Sequence, residues 1–439
     1  MNDSDSVRIS PSKRISGCVR VPGDKSISHR AAMLSAIAAG KSTITGYLAG
    51  EDCVNTLKAV AAMGAKVEYQ REKIVVIGTG GLLQAPAGVL DMGNSGTGMR
   101  LMAGLLAGQP FTAEMTGDDS LRSRPMKRIK EPLELMGAKV ELLGPNGCAP
   151  VRVTGGKLHG IEYTLPVASA QVKSCVLLAG LFASGTTRVV EPKSTRDHTE
   201  RMLGAAGVRV RQDGLSVEID GSGGKPPGVK PREWVVPGDF SSAAFWMVAA
   251  ACLEGGEVLV ENVGLNPRRT ALLDVLRRMG AGVLVECGVG ADKAGEQLGN
   301  VRIKGARLRA TEIGGDEIPN LIDELPVIAV AAALAEGRTV IRDAHELRVK
   351  ESDRIATMAR NLSMFGVKVE EMPDGMIVTG PTRVRGGAKV DSRGDHRIAM
   401  SMAVLTLFAD APATITGTAC VATSYPTFWE HLRTLTDQR

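Results

Sequence analysis

"AAGKSTITG", residues 38–46, reads as the close of an apolar helix, a break of small residues, and a short β-branched strand. The same phrase returns as "AGQPFTAEMTG" from 107, "ASGTTRVVE" from 183, "LEGGEVLVEN" from 253, "AEGRTVIRD" from 335 and "ADAPATITG" from 409. The six starts lie about 70 to 80 residues apart, longer than a solenoid repeat, so they predict packed α/β subdomains. A second phrase, a helix ending in glycine and running into a strand, alternates with the first: "MGAKVEY" from 63, "MGAKVEL" from 136, "AGVRVRQ" from 206, "MGAGVLV" from 279 and "FGVKVEE" from 365. Strict alternation predicts six similar units, the sixth stopping in its helix near "HLRTL" from 431. "GKST" at 40–43 resembles the end of a nucleotide-binding loop, but its place in the repeat makes it a helix-to-strand turn.

A chain of 439 residues exceeds one ordinary core. The stretch 221–242, "GSGGKPPGVKPREWVVPGDFSS", is dense in Gly and Pro and marks a crossing between two three-unit domains. "VRVPGD" at 19–24 is a similar signal, so the first strand is assigned to the carboxyl-terminal half. The expected domains are 22–237, and 1–21 with 238–439.

With 44% apolar residues and only 3% aromatics, the interior is expected to be built from Ala, Val, Leu, Ile and Met. A net charge of +5 without aromatic stacking platforms gives no nucleic-acid signature. The longest apolar stretch, 243–253, is too short to cross a bilayer, and "MNDSDSVRIS" is unlike a targeting leader. The chain is therefore expected in the cytoplasm, with no membrane partner. Seven scattered cysteines suggest neither a disulfide framework nor a CxxC site, and six histidines show no HExxH spacing. No metal is expected.

Six apolar helices open on unusual polar residues. "GDKSISHR" from 23 carries Lys25, Ser26 and Arg30; "GNSGTGMR" from 93 carries Asn94, Gly96, Thr97 and Arg100; "VASAQVKS" from 167 carries Ser169, Ala170, Gln171 and Lys173. "LIDELP" from 321 carries Asp323 and Glu324; "LRVKESDR" from 347 carries Lys350, Glu351, Asp353 and Arg354; "GDHR" from 394 carries Asp395, His396 and Arg397. Helix amino ends expose unpaired N–H groups and partial positive charge, so they suit phosphate or carboxylate. Few acids lie near these cations in sequence, which predicts that bound anions neutralise them. Plainer readings stand beside these: a capped helix with a solvated first turn for "GDKSISHR", a tight turn for "GNSGTGMR", a helix cap for Asp323, and an exposed network with Glu351 for Lys350 and Arg354.

These motifs, with the Arg124-Pro125 pair, resemble the 3-phosphoshikimate 1-carboxyvinyltransferase (EPSP synthase) family from about Ser10 to about Leu435. The resemblance implies an α/β fold of two domains, each of three βαβαββ units, with substrates in the cleft between them. It implies transfer of the enolpyruvyl group of phosphoenolpyruvate to the 5-hydroxyl of shikimate 3-phosphate, by a monomer without cofactors. By similarity, Lys25, Ser26, Arg30, Ser169, Ala170, Gln171, Arg196, Asp323 and Lys350 contact shikimate 3-phosphate. Lys25, Asn94, Gly96, Arg124, Gln171, Arg354 and Arg397 hold phosphoenolpyruvate. Asp323 is the position of the proton acceptor, with Glu351 and Lys25 candidates for proton transfer at the methylene carbon.

Leu101, Ala170, Glu346 and Thr423 depart from the best-known bacterial pattern and suggest a class II-like branch. Gly96 leaves room where an alanine in some members hinders glyphosate, so inhibition by glyphosate is expected. One alternative is the sister transferase acting on UDP-N-acetylglucosamine, which carries a cysteine where this chain has Asp119. The other is a non-catalytic anion-binding protein of the same fold.

Overall fold

The computed structural model describes residues 5–287 and 295–437. The chain forms two compact units: Met1–Pro22 with Pro237–Val289 and Gln297–Arg439, and Gly23–Val236 with Gly290–Glu296. Thus Glu296 joins the second unit, although it lies inside the range 238–439 that the sequence assigned to the other.

Among the described residues the strands make six small sheets, three in each unit. The second repeat shows the pattern. Strand Leu90–Asp91 leads through helix Gly96–Ala107 to the parallel strand Thr112–Thr116, and helix Lys127–Leu135 then leads to the antiparallel hairpin Lys139–Leu142 and Val151–Thr154. A parallel pair needs a crossover, and the helix supplies it. The α/β fold of βαβαββ units therefore holds; of "GKST", only Gly40 lies in the turn after helix Lys25–Ile37, and Lys41, Ser42 and Thr43 already belong to strand Lys41–Thr45.

Two sheets take their first strand from a distant part of the chain. Strand Glu233–Val235 pairs with Lys41–Thr45, and strand Ser16–Val19 pairs with Glu257–Gly264. Each of these borrowed strands runs directly into the same four residues, Val-Pro-Gly-Asp, at 21–24 and at 236–239. There the chain passes from one unit to the other. In both places the aspartate caps the following helix: Asp24 accepts from the Ile27 N–H, and Asp239 accepts from the N–H groups of Ser241 and Ser242. The sixth sheet is completed by strand Ser6–Ile9, antiparallel to Ala413–Thr416, while the sixth repeat itself ends in helix Phe428–Leu435.

The core of each unit is three apolar helices packed on one another: Lys25–Ile37, Gly96–Ala107 and Ala170–Gly180 in one, Phe240–Ala251, Leu325–Leu334 and His396–Thr406 in the other. Every residue of Phe240–Ala251 is buried, as expected of a helix apolar on all sides. Among the described residues no helix is long and apolar enough to cross a membrane.

Gly104 lets two of these helices meet backbone to backbone, since a Cβ there would sit 2.1 Å from the Cys175 carbonyl oxygen. Gly104→Ala is expected to force the Gly96–Ala107 and Ala170–Gly180 helices apart and to cost about 1–3 kcal/mol, the usual range for overpacking. Denaturant unfolding of the variant measures this loss.

Candidate functional site

In the unit built on Gly23–Val236, the capped start of helix Lys25–Ile37 aims Lys25 at Asp52, and the two form an ion pair. Asp52 is buried on helix Glu51–Ala62, and its Oδ1 also accepts from the Asn94 N–H at 3.2 Å. The Asn94 side chain accepts from Arg124 at 2.6 Å and donates to Asp118 at 2.6 Å. Arg124 is itself 7% exposed and also donates to Ser120 Oγ at 3.1 Å.

Arg100 donates to Gln171 Oε1 at 2.5 Å and to the Pro125 carbonyl at 3.1 Å; the other end of the Gln171 amide donates to Thr97 at 2.8 Å. Gly96 lies between two guanidinium groups: a Cβ there would be 3.0 Å from Arg100 and 3.3 Å from Arg124. Two bonded sets thus meet at Gly96: Lys25, Asp52, Asn94, Asp118 and Arg124 in one, and Arg100, Gln171 and Thr97 in the other.

Other expected residues in this unit have different surroundings. Arg30 is 4% exposed and donates to Thr199 Oγ1, Ser174 Oγ and the Ser26 carbonyl at 2.7–2.9 Å. Burial pushes its pKa down to about 10 against the pull of Glu200, Asp24 and Glu296. Ser169 caps helix Ala170–Gly180, so its hydroxyl, Ala170 and Gln171 share one helix entrance. Arg196 lies between strand Thr186–Val190 and helix His198–Ala205.

Lys173 corrects the expectation of ligand-neutralised cations. It is fully buried between Glu191 at 2.8 Å and Glu200 at 2.7 Å. For Lys25 and Lys173 the counter-charges are protein carboxylates.

The other unit gathers Asp323, Lys350, Glu351, Arg354 and Arg397. Oδ1 of Asp323 is 3.3 Å from Arg354, 3.8 Å from Lys350 and 3.8 Å from Arg397, and its Oδ2 is 3.9 Å from Arg269. Arg397 also donates to the Asp323 carbonyl at 2.9 Å. Arg354, 1% exposed, opens helix Arg354–Met364 and makes a forked contact with Asp395 at 2.8 and 3.3 Å, with Glu351 at 2.6 Å. Burial opposes its charge, but Asp395, Glu351 and Asp323 outweigh that and hold its pKa well above the ordinary arginine value. Asp395 is fully buried and caps helix His396–Thr406 through the Arg397 N–H.

Four departing positions have ordinary surroundings. Leu101 is core, Ala170 opens its helix, Glu346 lies 3.5 Å from His345, and the Thr423 hydroxyl donates to the Cys420 carbonyl.

Sequence reasoning missed Asp52, Asp118, Asp239, Ser241 and Arg269. Ser241 donates to Glu324 and accepts from Arg269 at 2.7 Å, and Arg269 lies 3.6 Å from Asp239. The repeated Val-Pro-Gly-Asp, with a serine two residues on in both copies, was the signal for Asp239 and Ser241.

Lys173→Met is expected to leave Glu191 and Glu200 buried without their cation and to destabilise the chain by about 3–5 kcal/mol. Adding Glu191→Gln and Glu200→Gln should recover much of that loss in denaturant unfolding.

Repeated sheets around buried helices, with cations and carboxylates at the helix entrances, are the architecture of an enolpyruvyl transferase. The chain shares its fold with the enolpyruvyl transferase NikO from Streptomyces tendae, with a TM-score of 0.78 over 98% of this chain and 97% of that one, at 20% identity. EPSP synthase from Acinetobacter baumannii is 46% identical, with a TM-score of 0.86 over 99% of this chain and 98% of that one. A 3-phosphoshikimate 1-carboxyvinyltransferase from Desulforamulus reducens is 50% identical over 428 residues, 97% of this chain and 98% of the relative. The family model for EPSP synthase (3-phosphoshikimate 1-carboxyvinyltransferase) matches residues 9–432. The chain belongs to the EPSP synthase family.

Proposed function

We propose that the chain transfers the enolpyruvyl group of phosphoenolpyruvate to the 5-hydroxyl of shikimate 3-phosphate and releases phosphate, the reaction of its family. The observation that carries the assignment of roles is the Asp323 carboxylate, within 4 Å of Arg269, Lys350, Arg354 and Arg397. Cations so placed can bind an anionic substrate beside a base. Both substrates carry a phosphate and a carboxylate, and arginine pairs with each through two parallel N–H bonds.

In this reading Asp323 takes the proton of the 5-hydroxyl as its oxygen attacks C2 of phosphoenolpyruvate, while C3 gains a proton from Lys25 or Glu351. The resulting ketal then loses phosphate as its C2–O bond breaks, and the same methyl carbon gives a proton back. Lys25, Asn94, Gly96, Arg124, Gln171, Arg354 and Arg397 hold phosphoenolpyruvate. Ser26, Arg30, Ser169, Ala170, Arg196 and Lys350 hold shikimate 3-phosphate, with Lys25, Gln171 and Asp323 reaching it too. Arg30 serves this role through its remaining donor capacity, because Thr199, Ser174 and Ser26 already fix its guanidinium plane. The enzyme acts as a cytoplasmic monomer and needs no cofactor.

Purified protein mixed with shikimate 3-phosphate and phosphoenolpyruvate in the presence of a chelator is expected to release inorganic phosphate only when both are present. Release with UDP-N-acetylglucosamine in place of shikimate 3-phosphate, or none with either acceptor, would overturn the reading. Lys25→Met should lower turnover by about 10²- to 10³-fold, the usual effect of removing one group that stabilises developing charge. Asp323→Asn should lower kcat far more than it raises either KM.

A further inference from the structure

His29 has no part in the reaction as described, yet it is fully buried one turn into the helix that begins at Lys25. Its two ring nitrogens bond to different elements. Nδ1 lies 2.7 Å from Thr56 Oγ1 on helix Glu51–Ala62, and Nε2 lies 2.9 Å from Ser95 Oγ at the entrance of helix Gly96–Ala107.

The surrounding bonds fix the direction of each. Ser95 Oγ already accepts from the Gly98 N–H at 2.9 Å, so its one proton is free to point at Nε2. The Thr56 hydroxyl donates to the Asp52 carbonyl at 3.3 Å, which leaves its lone pairs for the Nδ1–H. Every donor in the chain Ser95 to His29 to Thr56 to Asp52 then has an acceptor. The opposite tautomer would put two N–H donors on Ser95 Oγ and turn the Thr56 proton away from Asp52.

One end of this chain, Asp52, meets Lys25, and the other, Ser95, lies in the Asn94–Gly96 turn. Asp52 pairs with Lys25 and receives the Asn94 N–H, while Ser95 stands between Asn94 and Gly96. We propose that His29, held in the neutral Nδ1–H form, is a positioning residue that fixes Asp52 and the Asn94–Gly96 turn relative to Lys25, and so governs capture of phosphoenolpyruvate. This rests on the assignment of Lys25, Asn94 and Gly96 to phosphoenolpyruvate. Burial, with the cations Lys25 and Arg30 nearby, depresses the basicity of the ring and keeps it neutral.

Two measurements test it. The chain has six histidines, so the ¹⁵N spectrum of histidine-labelled enzyme is simple to assign with His29→Gln. His29 is expected to show the neutral Nδ1–H pattern at a pH well under the ordinary histidine value. An Nε2–H pattern, or protonation with the exposed histidines, would overturn the proposal without bearing on the reaction.

In steady-state kinetics His29→Leu should raise KM for phosphoenolpyruvate about 10-fold, the scale set by leaving one buried hydroxyl without its acceptor. The KM for shikimate 3-phosphate should change much less. His29→Gln keeps a donor and an acceptor and should recover part of the loss. Equal rises in both KM values, or no rise in either, would overturn the proposal. If His29→Leu does not fold, His29→Gln against wild type and the wild-type spectrum decide it. Failure of wild type to release phosphate from the two substrates would instead overturn the reaction assigned above.

Discussion

Arg354 is almost wholly buried and keeps its charge there because three carboxylates share it. Asp395 grips it in a fork, Glu351 takes a second edge, and Asp323 stands at 3.3 Å. A lone guanidinium at that depth would cost several kcal/mol or more, so the group stands or falls together. The same constraint recurs at three other cations of this chain. Lys173 has Glu191 and Glu200, Lys25 has Asp52, and Arg269 stands near Asp239 and Asp323. Each set ties a helix entrance to another element, so compensation of charge also fixes geometry.

That coupling explains why so much of the chemistry sits at helix starts. Asp24, Ser95, Ser169, Asp239, Asp353 and Asp395 cap their helices with side-chain oxygens. The capping residue holds the first turn in place, and in all but the Asp239 helix the residues just after it carry a cation or amide. Asp395 does both jobs at once, taking the Arg397 N–H through one oxygen and Arg354 through both. A cap that also carries an ion pair transmits any shift of the helix directly to the charged group.

The repeat phrases made the architecture legible because a helix-to-strand junction is local: glycine, small residues and β-branched alternation fall within ten positions. The helix entrances were legible for the same reason. The counter-charges were not. Asp52 lies 27 residues from Lys25, and Glu191 lies 18 residues from Lys173, on elements that only folding brings together. Reading charge along the chain therefore overstated how much anion a ligand had to supply. Asp239 and Ser241 were within reach of sequence, because their four-residue lead-in copies the one before Lys25, but the second copy lacks the lysine and offers Phe240 instead.

The borrowed strands have a consequence for how the molecule is made. Synthesis runs from the amino end, and a growing chain folds each domain as its parts emerge. The Gly23–Val236 stretch holds all three of its own sheets, including the strand Glu233–Val235 that completes the first. The other unit cannot close in that way. Strand Ser6–Ile9 must wait for Ala413–Thr416, and Ser12 receives the Asp437 N–H, so these residues stay without their partners until more than four hundred further positions have been made.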